Sequence, residues 1–147
     1  MLRFADCVPV LLAGTDPEPW ILGLHGGYAG TVGGIVPAGL DLLAVQGRLG
    51  GAWAWIGPGI GPCCYLRRVE DPATREGRLR LPPSCWALEG DQVRFDLKRA
   101  LGGQLQARIP VDRVMGLDWC TYHQKRCLSY RRGDREDRMA LLFWISP

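Results

Sequence analysis

Two apolar runs, Val8 to Ala13 and Trp20 to Leu24, are separated by the turn-forming stretch Gly14-Thr15-Asp16-Pro17-Glu18-Pro19. This pattern predicts an antiparallel hairpin, and a hairpin sets the start of its first strand beside the end of its second. Cys7 stands at the first of those places and His25 at the second. Pairing Leu12 with Trp20 puts Cys7 opposite His25, so a thiol and an imidazole are predicted to be neighbours at one strand end. Beside them runs the glycine-rich stretch Gly26-Gly27-Tyr28-Ala29-Gly30.

A chain of 147 residues is one domain's worth, with room for one core. At 47% hydrophobic and 22% charged it has the composition of an ordinary globular protein. The net charge of +3 is small and its basic residues are scattered, which argues against a nucleic-acid surface. No apolar stretch approaches the roughly 20 residues that cross a bilayer, so no membrane partner is expected. The six cysteines follow nothing that resembles a secretory signal. Reduced thiols, free or metal-bound, in a cytoplasmic protein are the expectation.

Beyond the hairpin, Ile35, Ala38, Leu42, Val45 and Leu49 recur at spacings of three and four and predict an amphipathic helix that ends at Gly50-Gly51. Its N-terminus would follow the His25 loop directly and turn free N–H groups toward it, as an anion site or as a bare cap. Ala52 to Gly57 reads as a short buried strand. The Pro- and Gly-rich stretch Pro58 to Tyr65 then forms a rigid loop bordering the Cys7–His25 site, with Cys63 and Cys64 as small side chains filling a tight corner. Leu66 to Pro83 is charged and reads as irregular surface. Asp96 is an N-cap for a second helix carrying Leu97, Leu101 and Leu105 and reaching about Ala107. Val111 to Cys120 holds a strand, and Met139 to Ile145 closes the chain as another.

Five ordered segments carry a family resemblance. They are Ala5-Asp6-Cys7-Val8-Pro9-Val10-Leu11-Leu12, Leu24-His25-Gly26-Gly27-Tyr28-Ala29-Gly30-Thr31, Ile56 to Tyr65, Phe95-Asp96-Leu97, and Cys120-Thr121-Tyr122 with Ser129-Tyr130-Arg131-Arg132. Together they resemble the laccase-domain family, first called multicopper polyphenol oxidase and now described as purine nucleoside phosphorylase-like. The resemblance implies a single α+β domain over residues 1–147, a layered β-sandwich flanked by helices. It also implies a zinc site that supports phosphorolysis, and in some members deamination, of adenosine, inosine or methylthioadenosine. Purine nucleoside and phosphate are then the partners.

By that resemblance Cys7 and His25 are zinc ligands and catalytic residues, Asp6 orients groups or transfers a proton, and Tyr28 and Cys64 contact substrate. The chain departs from the family in three places. It begins just before the Asp-Cys motif, so the family's N-terminal segment and its third ligand, a histidine, have no counterpart. Ala29 stands where the family has arginine, and alanine cannot bind phosphate. His123 stands where the family has the last cysteine of Cys-Thr-Tyr-Cys. A third zinc ligand then comes from His123, from Cys64, from another subunit, or from nowhere. Without metal, Cys7 and His25 form a nucleophile and base pair. A second reading is a degenerate member that keeps the fold as a binding or partner protein. Copper oxidation is the weakest reading, since a multicopper centre needs many imidazoles and this chain has His25 and His123. A sheet lacking its N-terminal strands leaves an unpaired edge or an uncovered apolar face, which predicts a homodimer or a marginally soluble chain.

Overall fold

The computed structural model describes residues 1–146 as an α+β fold in three sheets and four α-helices. The hairpin is its centre. Strands β2 (Val8–Gly14) and β3 (Trp20–Gly26) pair antiparallel, and β4 (Trp53–Ile56) and β8 (Val114–Gly116) complete a sheet of order β3-β2-β4-β8. Strand β1 (Leu2–Phe4) pairs with β9 (Met139–Leu141) as a separate ribbon. Strands β5 (Leu66–Arg68), β6 (Trp86–Glu89) and β7 (Gln92–Phe95) make the third sheet, with β7 in the middle.

Side-chain alternation along β2 and β3 defines the layers. Val8, Val10 and Leu12 are fully buried. Their hairpin partners Gly26, Leu24 and Leu22 share that face, which is covered by helices α2 (Ile35–Val45) and α4 (Leu97–Gln106). A methyl on Gly39 of α2 would come within 2.9 Å of Leu24, and one on Gly26 within 2.7 Å of Leu101 of α4. The opposite face carries Pro9 and Leu11 with His25 and Gly23. There a methyl on Gly23 would meet the Phe143 ring at 2.7 Å and Leu2 at 3.3 Å. The sheet is thus filled between helices on one side and the β1–β9 ribbon on the other. Each fully buried Leu or Phe contributes about 1.5–3 kcal/mol to holding those layers.

The sequence periodicity located α2 but assigned the wrong face. Leu42 and Val45, expected inside, are 48% and 89% exposed, while Val36, Gly39, Leu40 and Leu43 are buried. Both faces of this helix are apolar, and close approach to Leu24 at Gly39 decides between them. Nor does α2 follow the His25 loop directly. The five-residue helix α1 (Tyr28–Val32) intervenes, and Gly34 at φ +81° turns the chain into α2. Helix α4 matches the expected leucine spacing, with Leu97, Leu101 and Leu105 buried and the Asp96 carboxylate accepting the Arg99 N–H at 2.9 Å.

The stretch expected to be irregular, Leu66 to Pro83, contains β5 and helix α3 (Pro72–Arg80). Asp71 caps α3 by accepting the Ala73 N–H at 2.9 Å, and Pro72 occupies the first turn. Gly77 of α3 packs on Tyr28, where an added methyl would lie 2.0 Å from the hydroxyl. Gly77→Ala is therefore expected to destabilise the chain by about 1–3 kcal/mol. Tyr28→Phe in the same chain should recover part of that loss. A urea-denaturation cycle with additive effects would contradict the packing. Among the described residues no helix is long and apolar enough to cross a membrane.

Candidate functional site

The hairpin register differs from the expected one by two residues. Gly14 extends β2 and pairs with Trp20, so Pro9, not Cys7, lies opposite His25. A one-residue slip would have turned His25 to the other face, but a two-residue shift preserves it. Cys7 and His25 still converge, because both side chains reach the space over Gly27. The Cys7 Sγ is 3.0 Å and the His25 Nε2 is 3.6 Å from where a Cβ on Gly27 would sit.

They converge in a cleft of about 380 Å³ between the hairpin and the β1–β9 ribbon. Tyr65 and Tyr130 line it together with the basic residues Arg3, Arg131 and Arg138. The Arg131 guanidinium donates to the Leu66 carbonyl at 2.9 Å and lies 4.9 Å over the Tyr65 ring. Arg138 donates to backbone carbonyls of Asp134, Arg135 and Asp137. Burial, and then the negative charge of Asp6, push the Cys7 thiol above its ordinary pKa, against the smaller opposing effect of Arg138. Without a metal this disfavours the Cys7 thiolate.

Asp6 is 6% exposed and holds φ at +81°, a conformation that Asp tolerates better than most residues. Its Oδ1 accepts the Thr121 hydroxyl at 2.6 Å, its Oδ2 accepts the Arg131 N–H at 2.8 Å, and its carbonyl accepts the Ile60 N–H at 2.8 Å. With both carboxylate oxygens engaged, Asp6 clamps the start of β2 to the segments that carry Ile60, Thr121 and Arg131. Tyr28 does not line the cleft. Its hydroxyl donates to the Ala73 carbonyl at 2.9 Å, its ring lies under the Arg67 guanidinium at 4.2 Å, and burial raises its pKa to about 12 despite that cation.

Cys64 and His123, each weighed as a third ligand for Cys7 and His25, do not line this cleft. They meet each other instead. Cys63, Cys64, Cys120 and His123 bring one ligand atom each within 4.8 Å of one another, a set that could hold a metal ion. Cys63 is exposed, which removes its reading as corner filler, while Cys64 and Cys120 pack partly against the core. Burial, then hydrogen bonding to Cys63 and the charge of Cys120, raise the Cys64 thiol to about 12. Burial also opposes ionisation of Cys120, but the Gly61 N–H donated to its sulfur and the nearby backbone N–H groups of His123 and Tyr122 outweigh it, and that thiol lies below its ordinary pKa.

Sequence reasoning did not find Arg3, Tyr65, Tyr130, Arg131 and Arg138 as cleft residues. Arg3 and Arg138 are brought there by pairing of β1 with β9, which no local pattern announces. Arg131 and Tyr130 stand inside the quoted motif Ser129-Tyr130-Arg131-Arg132, which was the available signal.

Comparison with known proteins agrees with this architecture. Residues 1–146 match the family model for multi-copper polyphenol oxidoreductase laccase. A protein of Shigella flexneri named purine nucleoside phosphorylase YfiH is 30% identical over 148 residues, covering 96% of this chain and 57% of that protein. Purine nucleoside phosphorylase YlmD of Geobacillus stearothermophilus is 33% identical over 152 residues, covering 98% and 54%. The crystal structure of Bacillus licheniformis hypothetical protein YfiH superposes with a TM-score of 0.79 at 30% identity, covering 91% of this chain and 52% of that one. The chain therefore spans a little over half the length of the curated relatives it matches. With this match over nearly its whole length, the chain belongs to the multi-copper polyphenol oxidoreductase laccase family.

Proposed function

We propose that the Cys7–His25 cleft serves a purine nucleoside phosphorylase-like reaction, with zinc held by Cys7, His25 and a third donor from outside the described residues. The observation that carries this reading is the convergence of a thiol and an imidazole over Gly27, inside a cleft with arginines on its walls. The donor set suits zinc, and the absent side chain of Gly27 leaves the space between the donors open. Zinc bound there supplies a Lewis acid beside the reacting oxygens.

The other roles fall to the chain's own residues. Phosphorolysis forms a bond from a phosphate oxygen to C1′ of the ribose as the C1′–N9 bond breaks, and the purine leaves with that electron pair and takes up a proton from solvent. Arg3 and Arg138 hold the phosphate dianion, replacing the guanidinium that Ala29 lacks. Arg131 is anchored by its bond to Leu66 and holds Tyr65 against the cleft wall. Tyr65 and Tyr130 offer aromatic faces for the base. Asp6 keeps Cys7 aimed through the Thr121 and Arg131 bonds.

The test is release of free purine from inosine and from adenosine by the zinc-loaded protein, followed by chromatography with and without phosphate. Expected is release that depends on phosphate and that is lost in Cys7→Ala. Release indifferent to phosphate would mean hydrolysis, and no release would leave the chain as a binding protein. Either result overturns the reading.

A further inference from the structure

Four donor side chains outside the cleft come from two loops that the backbone already ties together. The loop after β4 and the loop after β8 meet at a parallel bridge between Gly59 and Cys120. Thr121 N–H donates to the Gly59 carbonyl at 3.1 Å, and Gly61 N–H donates to the Cys120 sulfur at 3.2 Å. A turn closed by Cys64 N–H on the Gly61 carbonyl at 3.0 Å then presents Cys63 and Cys64 to His123. The Cys63 and Cys64 sulfurs are 3.6 Å apart, Cys64 Sγ is 3.5 Å from His123 Nε2, and Cys63 Sγ is 3.7 Å from His123 Nδ1. A tetrahedral zinc site with metal–sulfur bonds of about 2.3 Å has edges of about 3.8 Å. Three contacts of the cluster, at 3.5–3.7 Å, match that edge, and all four ligand atoms lie within 4.8 Å of one another.

Composition and spacing agree. Three thiols and one imidazole are a recurrent closed zinc set, and Cys120 and His123, with two residues between them on one turn, follow the usual short ligand spacing. Cysteines kept for packing are buried, as Cys85 and Cys127 are here at 3% and 6% exposure. Cys63 is exposed instead, and the sulfurs of Cys63 and Cys64 contact each other and the His123 ring.

We propose that Cys63, Cys64, Cys120 and His123 bind a structural zinc ion, separate from the Cys7–His25 cleft, that pins the β4 loop to the β8 loop. Each thiol gives its proton to solvent as its sulfur binds, and one ring nitrogen of His123 completes the four ligands. No position is left for water, so the ion holds the chain and performs no chemistry. What it holds is the Asp6 clamp. Ile60 from the first loop and Thr121 from the second both grip Asp6, at 2.8 Å and 2.6 Å. The ion therefore lies behind the residue that aims Cys7, and its effect on the cleft is one of position.

The test uses the Cys7→Ser chain, reduced, stripped of metal and kept free of air, so that the cleft contributes no thiolate. Titration with cobalt is expected to give one bound equivalent, with the visible bands of a tetrahedral ion and a charge-transfer band of three-thiolate intensity, all displaced by zinc. Cys120→Ser in that background is expected to lose the spectrum. Should that variant misfold, the Cys7→Ser chain alone decides the matter through alkylation mapped by mass spectrometry. Zinc is expected to protect Cys63, Cys64 and Cys120 while an unfolding control labels all three. No bound cobalt, a one-thiolate spectrum, or equal alkylation with and without zinc would overturn the proposal. None of these readouts depends on purine release, so failure of the phosphorylase reading leaves this one standing, and the reverse.

Discussion

Asp6→Ala is expected to lower the unfolding free energy by about 3–5 kcal/mol, because two hydrogen bonds to a buried carboxylate are lost, each worth about 1.5–3 kcal/mol. The Thr121 hydroxyl and the Arg131 N–H are left without the acceptor they now share. Alanine is also strained at φ +81°, so conformation adds to the lost bonding. Two further variants separate these causes. Asp6→Gly accepts the backbone geometry and should cost about 1 kcal/mol less than alanine. Asp6→Asn keeps the shape and tolerates the left-handed region, and the Thr121 hydroxyl can rotate to accept from its amide, so it should cost least. Urea denaturation of the three variants measures the order. An Asp6→Ala chain within 1 kcal/mol of the parent would remove Asp6 from its role as a clamp.

The second large effect is expected from a single methyl. Gly27 has φ −73° and ψ 172°, which any residue adopts, so Gly27→Ala adds no backbone strain and should still fold, at a cost of about 1 kcal/mol for the poorer N-cap and the tighter packing. Its new Cβ would stand 3.0 Å from the Cys7 sulfur and 3.5 Å from the His25 ring, in the gap between the donors. Displacing either donor by a few tenths of an ångström is expected to weaken zinc binding in the cleft by about 10–100-fold, the scale on which disturbed ligand support acts. Purine release should fall with it. Zinc competition at equilibrium and the phosphate-dependent assay, run on one preparation, measure both. Full affinity with the methyl in place would mean that the cleft does not bind metal between Cys7 and His25.

The parts of the fold legible in the sequence are those written in short-range patterns. The hairpin followed from two apolar runs and a turn, and α4 from Asp96 with leucines four apart. The register was not legible, since nothing in the apolar pattern shows that Gly14 continues the strand. Helix α3 was missed because it has no apolar stripe, its buried residues being Thr74 and Gly77 and its Leu79 being exposed, although Asp71-Pro72 marked its start. The face of α2 was decided by contact with β3, which the helix's own sequence does not contain. The candidate site divides in the same way. Cys7 and His25 belong to one hairpin and could be read together, whereas Cys63, Cys64 and Cys120 meet through the long-range bridge at Gly59.

The ribbon of β1 and β9 gives the cleft one wall. Three residue pairs join Leu2–Phe4 to Met139–Leu141, and a ribbon this short has little stability of its own beyond what it gains by lying on the hairpin. Arg3 sits on one strand and Arg138 immediately precedes the other, so both cations of the proposed phosphate site travel with it. Local opening of such a segment requires only part of the free energy of global unfolding. The basic character of that cleft wall therefore depends on the pairing of residues 2–4 with 139–141, a contact between segments more than 130 residues apart in the sequence.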